Sequence, residues 1–279
     1  MRTLIWVLFF YALVLVGCKG RYPSDNSPGR TRSSQLQAKM ASYDNAEDRA
    51  LEEVQAAIAR GGSARDVVED LYGLTRMHLA ARNGHVRVLS FLIEHGGDVN
   101  IPNEGGRGTG GESPLHWAST AEVVDLLIAN GADANSLGAA GQTPLASAAF
   151  RNRPAAVRAL VRHGADVNAR SLLFDATVLM SACTGLVIDY GDPALNRYED
   201  RIAIIEFLVS KGADVNAQDE GGETALHCAA KYQARFVELL LRLGADPNIK
   251  DGKGRRPIDW SRQLHHDEIT TILEKATSK

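Results

Sequence analysis

Three sets of residues in this chain have types and spacings that could do chemistry. Gly106, Gly108 and Gly111 match the spacing of the glycine fingerprint that cradles a dinucleotide. That fingerprint works only at a strand–turn–helix junction, where backbone N–H groups converge on the phosphates. Here the glycines lie in NEGGRGTGG, a loop between two copies of a repeated phrase, so the chain is read as binding no nucleotide. His78, His116 and His227 could be bases or ligands, but they occupy one recurring position. A periodic His reads as a structural hydrogen-bonding residue. Cys183 and Cys228 are 45 positions apart in equivalent segments and read as buried small hydrophobes. A disulfide between them would require close Cα atoms, which stacked segments could supply. The pair His265-His266 could bind a metal, yet reads better as an exposed polar cap. No His-Glu-x-x-His motif, phosphate-loop Lys or Gly-x-Ser-x-Gly elbow is present. The expectation is a protein without catalysis, cofactor or metal.

The elements that position these residues come from repetition. A phrase of the form Gly-x-Thr-x-Leu-His-x-Ala-Ala, an apolar run and Gly-Ala-Asp-Val-Asn begins at Gly73, Gly111, Gly141, Ala176 and Gly222, with a degenerate copy from Gly254. In the third copy Thr143 can cap a helix and Pro144 pre-sets its first turn. Val157, Leu160 and Val161 give a second helix its apolar stripe. Gly164 can end that helix in the left-handed region, and Asp166 and Asn168 suit the turn that follows. No unit buries its apolar face alone, so neighbours must stack.

These residues resemble the ankyrin repeat over about residues 73–275. The resemblance implies an all-α ankyrin-repeat solenoid of stacked helix-turn-helix units with short hairpin loops. The expected division is an N-terminal cap near 44–70, repeats near 70–100, 101–135, 136–169, 170–217 and 218–250, and a C-terminal cap at 251–279. Ala146 and Met180 replace the motif His, Arg76 and Ala225 replace the motif Pro, and the second copy is about three residues short. The fourth carries an insert of about 14 residues near 185–198.

Ahead of the array, residues 4–16 are apolar and uncharged, and 13 residues are too few for a span of roughly 20. They match the core of an export signal after Arg2. Leu15-Val16-Gly17-Cys18 resembles a bacterial lipobox, which implies cleavage after residue 17 and acylation of Cys18. Lys19 in second place then implies the periplasmic face of the outer membrane. Residues 18–40 read as a flexible basic tether: positions 19–39 carry five basic residues and one acid, +4, whereas the body from Met40 carries 25 basic and 33 acidic residues, −8. Met40 at that junction is also a candidate internal start that would yield a minor cytosolic form. The net charge of −3 and the 6% aromatic content suggest neither nucleic-acid binding nor a β-sandwich.

The resemblance implies a protein partner bound along the hairpin tips and first helices. Carried onto this sequence, that surface includes Arg82, Asn83, Phe150, Arg151, Leu172, Leu173, Phe174, Tyr190, Tyr198, Asp219, Glu220, Lys231 and Tyr232. Leu172-Leu173-Phe174 stands out, because hairpin tips are normally polar; the patch is either an interaction site or covered by the insert. The partner expected first is a cognate antibacterial effector encoded nearby, of phospholipase type and delivered by type VI secretion, with the chain as its immunity protein. The membrane would be reached through the N-terminal lipid. Alternatives are an accessory partner of a periplasmic enzyme, such as a peroxide-detoxifying one, and an envelope adaptor.

Overall fold

The computed structural model describes residues 32–63, 73–104, 111–138, 140–184 and 198–278, with side chains from residue 46 onward. The chain divides into residues 1–53 and 54–279. The segment expected to be an export signal, Cys18, most of the expected tether, and Tyr190 with the 185–197 stretch lie outside the described residues.

The first element is a helix, Arg32–Ala59. Residues 32–40, expected to be tether, are therefore helical. The sequence there, RSSQLQAKM, is rich in good helix formers and free of Gly and Pro. The helix stops at a Gly-Gly pair: Gly61 is left-handed at φ 89°, and its N–H and that of Gly62 close onto the Ile58 and Ala57 carbonyls.

Among the described residues of 54–279, five helix pairs and a terminal pair follow. Repeat 1 is Arg76–Asn83 and Val86–Glu94, and repeat 3 is Pro144–Phe150 and Pro154–Arg162. Repeat 4 is Val178–Thr184 and Tyr198–Ser210, repeat 5 is Ala225–Ala230 and Ala234–Arg242, and the cap is Pro257–Gln263 and Asp267–Thr277. In repeat 2 the first helix shrinks to the 3-10 turn Pro114–Trp117 before the helix Ala121–Ala129. Its missing residues leave room for one tight turn only. First helices pack on first helices and second on second along the array, giving an inner and an outer layer.

Two columns of apolar residues hold the layers together. Met77, Leu115, Leu145, Leu179, Leu226 and Ile258 occupy one inner-helix position, and all are buried. Leu92, Leu127, Leu160, Leu208, Leu240 and Leu273 occupy one outer-helix position, and all are fully buried. Each contributes about 1.5–3 kcal/mol by burial. Alanines such as Ala81, Ala149 and Ala229 let the inner helices approach closely, which accounts for the low aromatic content.

Polar pins fix the stacking. Each Gly-Ala-Asp-x-Asn turn bends on itself, with Asn100, Asn135, Asn168, Asn216 and Asn248 N–H groups bonded to the preceding Asp at 2.8–2.9 Å. The same Asn side chains reach the next unit. Asn168 donates to Gly212 O at 3.0 Å and accepts from Asp214 N–H at 2.9 Å. Asn100, Asn135 and Asn216 donate to Gly131, Gly164 and Gly244.

Candidate protein-binding surfaces

The recurring histidines are pins as well. Nδ1 of His78, His116 and His227 accepts the backbone N–H of Thr75, Ser113 and Thr224 at 3.1–3.2 Å. Nε2 must then carry the proton, and it donates to the Glu112, Gln142 and Arg255 carbonyls of the following unit at 2.8–3.1 Å. Burial pushes the His116 and His227 pKa values down, which keeps these rings neutral. Their nitrogens are committed to structure and open to no substrate. Where the motif His is missing, the Met180 sulfur takes the Thr177 N–H at 3.4 Å. In the cap, Asp259 does so for Arg256 at 2.8 Å. That last substitution was not foreseen, although Pro257-Ile258-Asp259 carries the signal.

Cys183 and Cys228 are both free and buried. Burial raises both thiol pKa values, that of Cys228 to about 12, so neither is a nucleophile. Of the Gly106–Gly111 match only Gly111 lies among the described residues; its N–H donates to Asn103 O at 3.0 Å, and the Asn103 and Glu112 N–H groups donate to Glu112 O and Asn103 Oδ1. Among the described residues no group of three His, Cys, Asp or Glu is placed to hold a metal ion.

The proposed recognition residues fall at the two ends of the inner helices. At the tip end stand Leu172, Leu173 and Phe174, 73%, 45% and 45% exposed, with Leu137 of the neighbouring tip at 53%. These are four of the six exposed large hydrophobics among the described residues, the others being Tyr232 and Leu264. The turn is built to hold them out. Phe174 and Asp175 both have positive φ, 67° and 55°. A bulky residue there costs about 1–3 kcal/mol and persists only if its surroundings impose it. The surroundings are explicit: Leu173 N–H bonds Ala140 O at 3.2 Å, and Phe174 O accepts Glu220 N–H at 2.9 Å. Arg170 ties Asp175 to Gln218 O, and Ser171 Oγ donates to Leu173 O at 2.6 Å. Leu172 lies so close over Gly141 that a Cβ on that glycine would collide with it.

Asp219 and Glu220 form the next tip. Asp219 Oδ1 accepts Glu223 N–H at 2.8 Å, so it shapes the turn, and burial raises its carboxyl pKa. Glu220 is exposed.

At the other end lie Arg82, Asn83, Phe150, Arg151, Lys231 and Tyr232. Two of these cations turn inward. Arg151 stacks on Trp117 at 4.1 Å, donates to His116 O at 3.0 Å, and pairs with buried Glu112 at 3.3 Å. Lys231 lies 4.1 Å from the Trp260 ring and pairs with Glu223 at 2.6 Å. Both brace adjacent units. Beside them Arg201, a buried cation that the sequence reading missed, donates to Ala182 O at 2.7 Å and Phe150 O at 3.2 Å. It thereby caps two inner helices, and burial lowers its pKa to about 10. Tyr198 and Tyr232 come together in an open cleft with Arg235, His265, Asp267 and Glu268.

A family model for three copies of the ankyrin repeat matches residues 43–137, 103–171, 119–189 and 194–278. Alpha-latrotoxin-Lg1a of Latrodectus geometricus is 31% identical over 210 residues, 73% of this chain and 14% of the toxin. An ankyrin repeat and SOCS box protein of Homo sapiens is 31% identical over 200 residues, 70% of this chain and 42% of its own length. An ankyrin repeat and KH domain-containing protein of Caenorhabditis elegans is 31% identical over 196 residues, 68% of this chain and 6% of its own length. The chain thus spans less than half of each of these relatives.

Proposed function

Because this chain belongs to the ankyrin-repeat family, whose repeats imply a protein partner, we propose that it is an immunity protein whose effector docks on the tips of repeats 3 and 4. The observation that carries the docking site is the concentration of Leu137, Leu172, Leu173 and Phe174 on two adjacent tips, held out by a strained turn. Contiguous exposed apolar surface on a soluble domain marks an interaction site. The body's charge of −8 from Met40 onward would speed capture of a basic effector. Inhibition would be steric, with the array covering an active-site entrance or a membrane-docking face.

The proposal includes export and acylation of Cys18, for which the support is the lipobox-like Leu15-Val16-Gly17-Cys18 after an apolar leader. A doubly or triply acylated Cys gives a stable anchor, at the periplasmic face where a periplasm-acting effector would arrive. A minor cytosolic form from Met40 would retain the array.

The test is calorimetry against the product of the neighbouring open reading frame, with wild-type chain, Leu172→Asp and Phe174→Asp. Each variant should weaken binding at least tenfold without lowering the melting temperature, which Phe174→Asp should raise by relieving the positive-φ strain, and should fail to protect cells that make the effector. Unchanged affinity in both variants would remove the tips as the site. No complex and no protection by the wild type would remove the immunity role.

A further inference from the structure

The cleft at the loop end of repeats 4 and 5 and the cap is separate from the tips and has a chemistry of its own. Its volume is about 600 Å³, and it lies open to solvent. Tyr198 forms one wall, its ring 6.3 Å from that of Phe236 and its hydroxyl accepting from Gln233 at 3.4 Å. Tyr232, 43% exposed, lines it too. The other exposed large hydrophobic away from the tips, Leu264, immediately precedes the lining residue His265.

The cleft is anionic. Asp267 and Glu268 line it, and Glu199 and Arg235 form an exposed pair at 3.4 Å on its border. With Glu199 paired to Arg235, Asp267 and Glu268 are the remaining carboxylates beside the cleft, whose lining also holds His265 and His266. The Arg235 guanidinium lies over the Tyr198 ring at 5.9 Å, so one wall already carries a cation from within the chain. Aromatic faces beside excess carboxylates select a cation that can stack, by ring quadrupole and charge together. The geometry points to a second recognition pocket, formed by Tyr198, Tyr232, Asp267 and Glu268, that takes an arginine or lysine side chain of a protein partner. It does not depend on the tips being the effector site.

The probe is N-acetyl-arginine amide, with N-acetyl-citrulline amide as the uncharged isostere. Both are titrated into the isotope-labelled full chain while the tyrosine ring signals are followed by NMR, assigned through Tyr198→Phe and Tyr232→Phe. Arginine amide should give saturable shifts at both rings with a Kd in the millimolar range, and citrulline amide should not. Asp267→Asn with Glu268→Gln should weaken binding about fivefold, with the melting temperature falling only by the small loss of two first-turn charges from the helix Asp267–Thr277, and Leu172→Asp should leave binding unaltered. Equal shifts from citrulline amide, non-saturating shifts, or an unaffected Asp267→Asn/Glu268→Gln variant would overturn the pocket. Failure of the Leu172→Asp effect on effector binding would leave it standing.

Discussion

Replacing His227 by Ala should detach the C-terminal cap while leaving the rest of the array folded. The ring is fully buried. It accepts from Thr224 N–H at 3.1 Å and donates to Arg255 O at 3.1 Å across the last interface. Truncation orphans both backbone groups, at about 1–3 kcal/mol each where water cannot reach them. It also leaves a cavity of imidazole size, by analogy with buried large-to-small changes about 2 kcal/mol or more. Partial relaxation brings the total to about 3–5 kcal/mol. In a stacked array stability is a sum of unit and interface terms, so the loss appears where the damaged interface has one neighbour only. The cap buries few apolar side chains of its own, Ile258, Ile269 and Leu273 among them. Native-state hydrogen exchange reads this directly. The His266 and Thr270 amides, bonded to Ser261 and His266 carbonyls at 2.9 Å, should exchange about a hundred- to a thousandfold faster. Outer-helix amides of repeats 2 and 3 should not change. Uniform acceleration along the array, or a loss below about 1 kcal/mol, would refute the account of His227 as a local pin.

Two further outcomes follow from the buried groups. The folded-state pKa values of His116 and His227 lie below the ordinary 6.5, so the unfolded chain takes up protons first. Stability should therefore be full above about pH 6.5 and fall as pH drops below it, by up to about 1.4 kcal/mol per unit for each ring. Urea unfolding at several pH values checks this, and a flat or rising curve between pH 6.5 and 5.5 would contradict it; Asp125, held low by hydrogen bonds from His163 and Arg162, titrates below this window. In a Cys18→Ser chain, Cys183 and Cys228 should resist a thiol reagent at pH 8 and react only as fast as the array opens, because burial disfavours both thiolates. Rapid labelling of the native chain would contradict their placement.

What was legible in the sequence was what recurs. Most copies set the same Thr or Ser, Leu, Gly, Asp and Asn to the same task, and three of them the same His, so the columns and turns could be read from the phrase alone. What was illegible depends on neighbours in space. Arg201 sits on an outer helix where a cation would ordinarily face solvent, yet it is buried against helix-terminal carbonyls of repeats 3 and 4. Arg151 and Lys231 read as free recognition cations, and the tryptophans that capture them, Trp117 and Trp260, come from adjacent units. The apolar tip was visible because three large hydrophobics in a row break the rule for a turn. The tyrosine cleft was hidden because Tyr198, Tyr232 and Asp267 belong to three successive units.

The two exposed patches lie at opposite ends of the inner helices, and their separation limits how a partner can use them. The inner helix Val178–Thr184 has seven residues, so it spans about 10 Å from tip to loop. Units stack at the helix-packing distance of about 8–10 Å. From the tip of repeat 3 to the cap is three such steps, so the outer edges of the two patches are about 30 Å apart, while their inner edges, Leu172–Phe174 and Tyr198, both belong to repeat 4. A standard interface covers about 800 Å² on each partner, a disc roughly 30 Å across. One partner of ordinary size therefore reaches both patches only by lying diagonally over the inner helices of repeats 4 and 5. On the path between, Ser181 is half-buried, whereas Ala182 and Ala229 are fully buried and offer a partner no surface. If the two proposed sites serve one partner, such an arrangement would concentrate affinity at its two ends, the apolar tip and the tyrosine cleft, and would make the spacing between them a selector of partners.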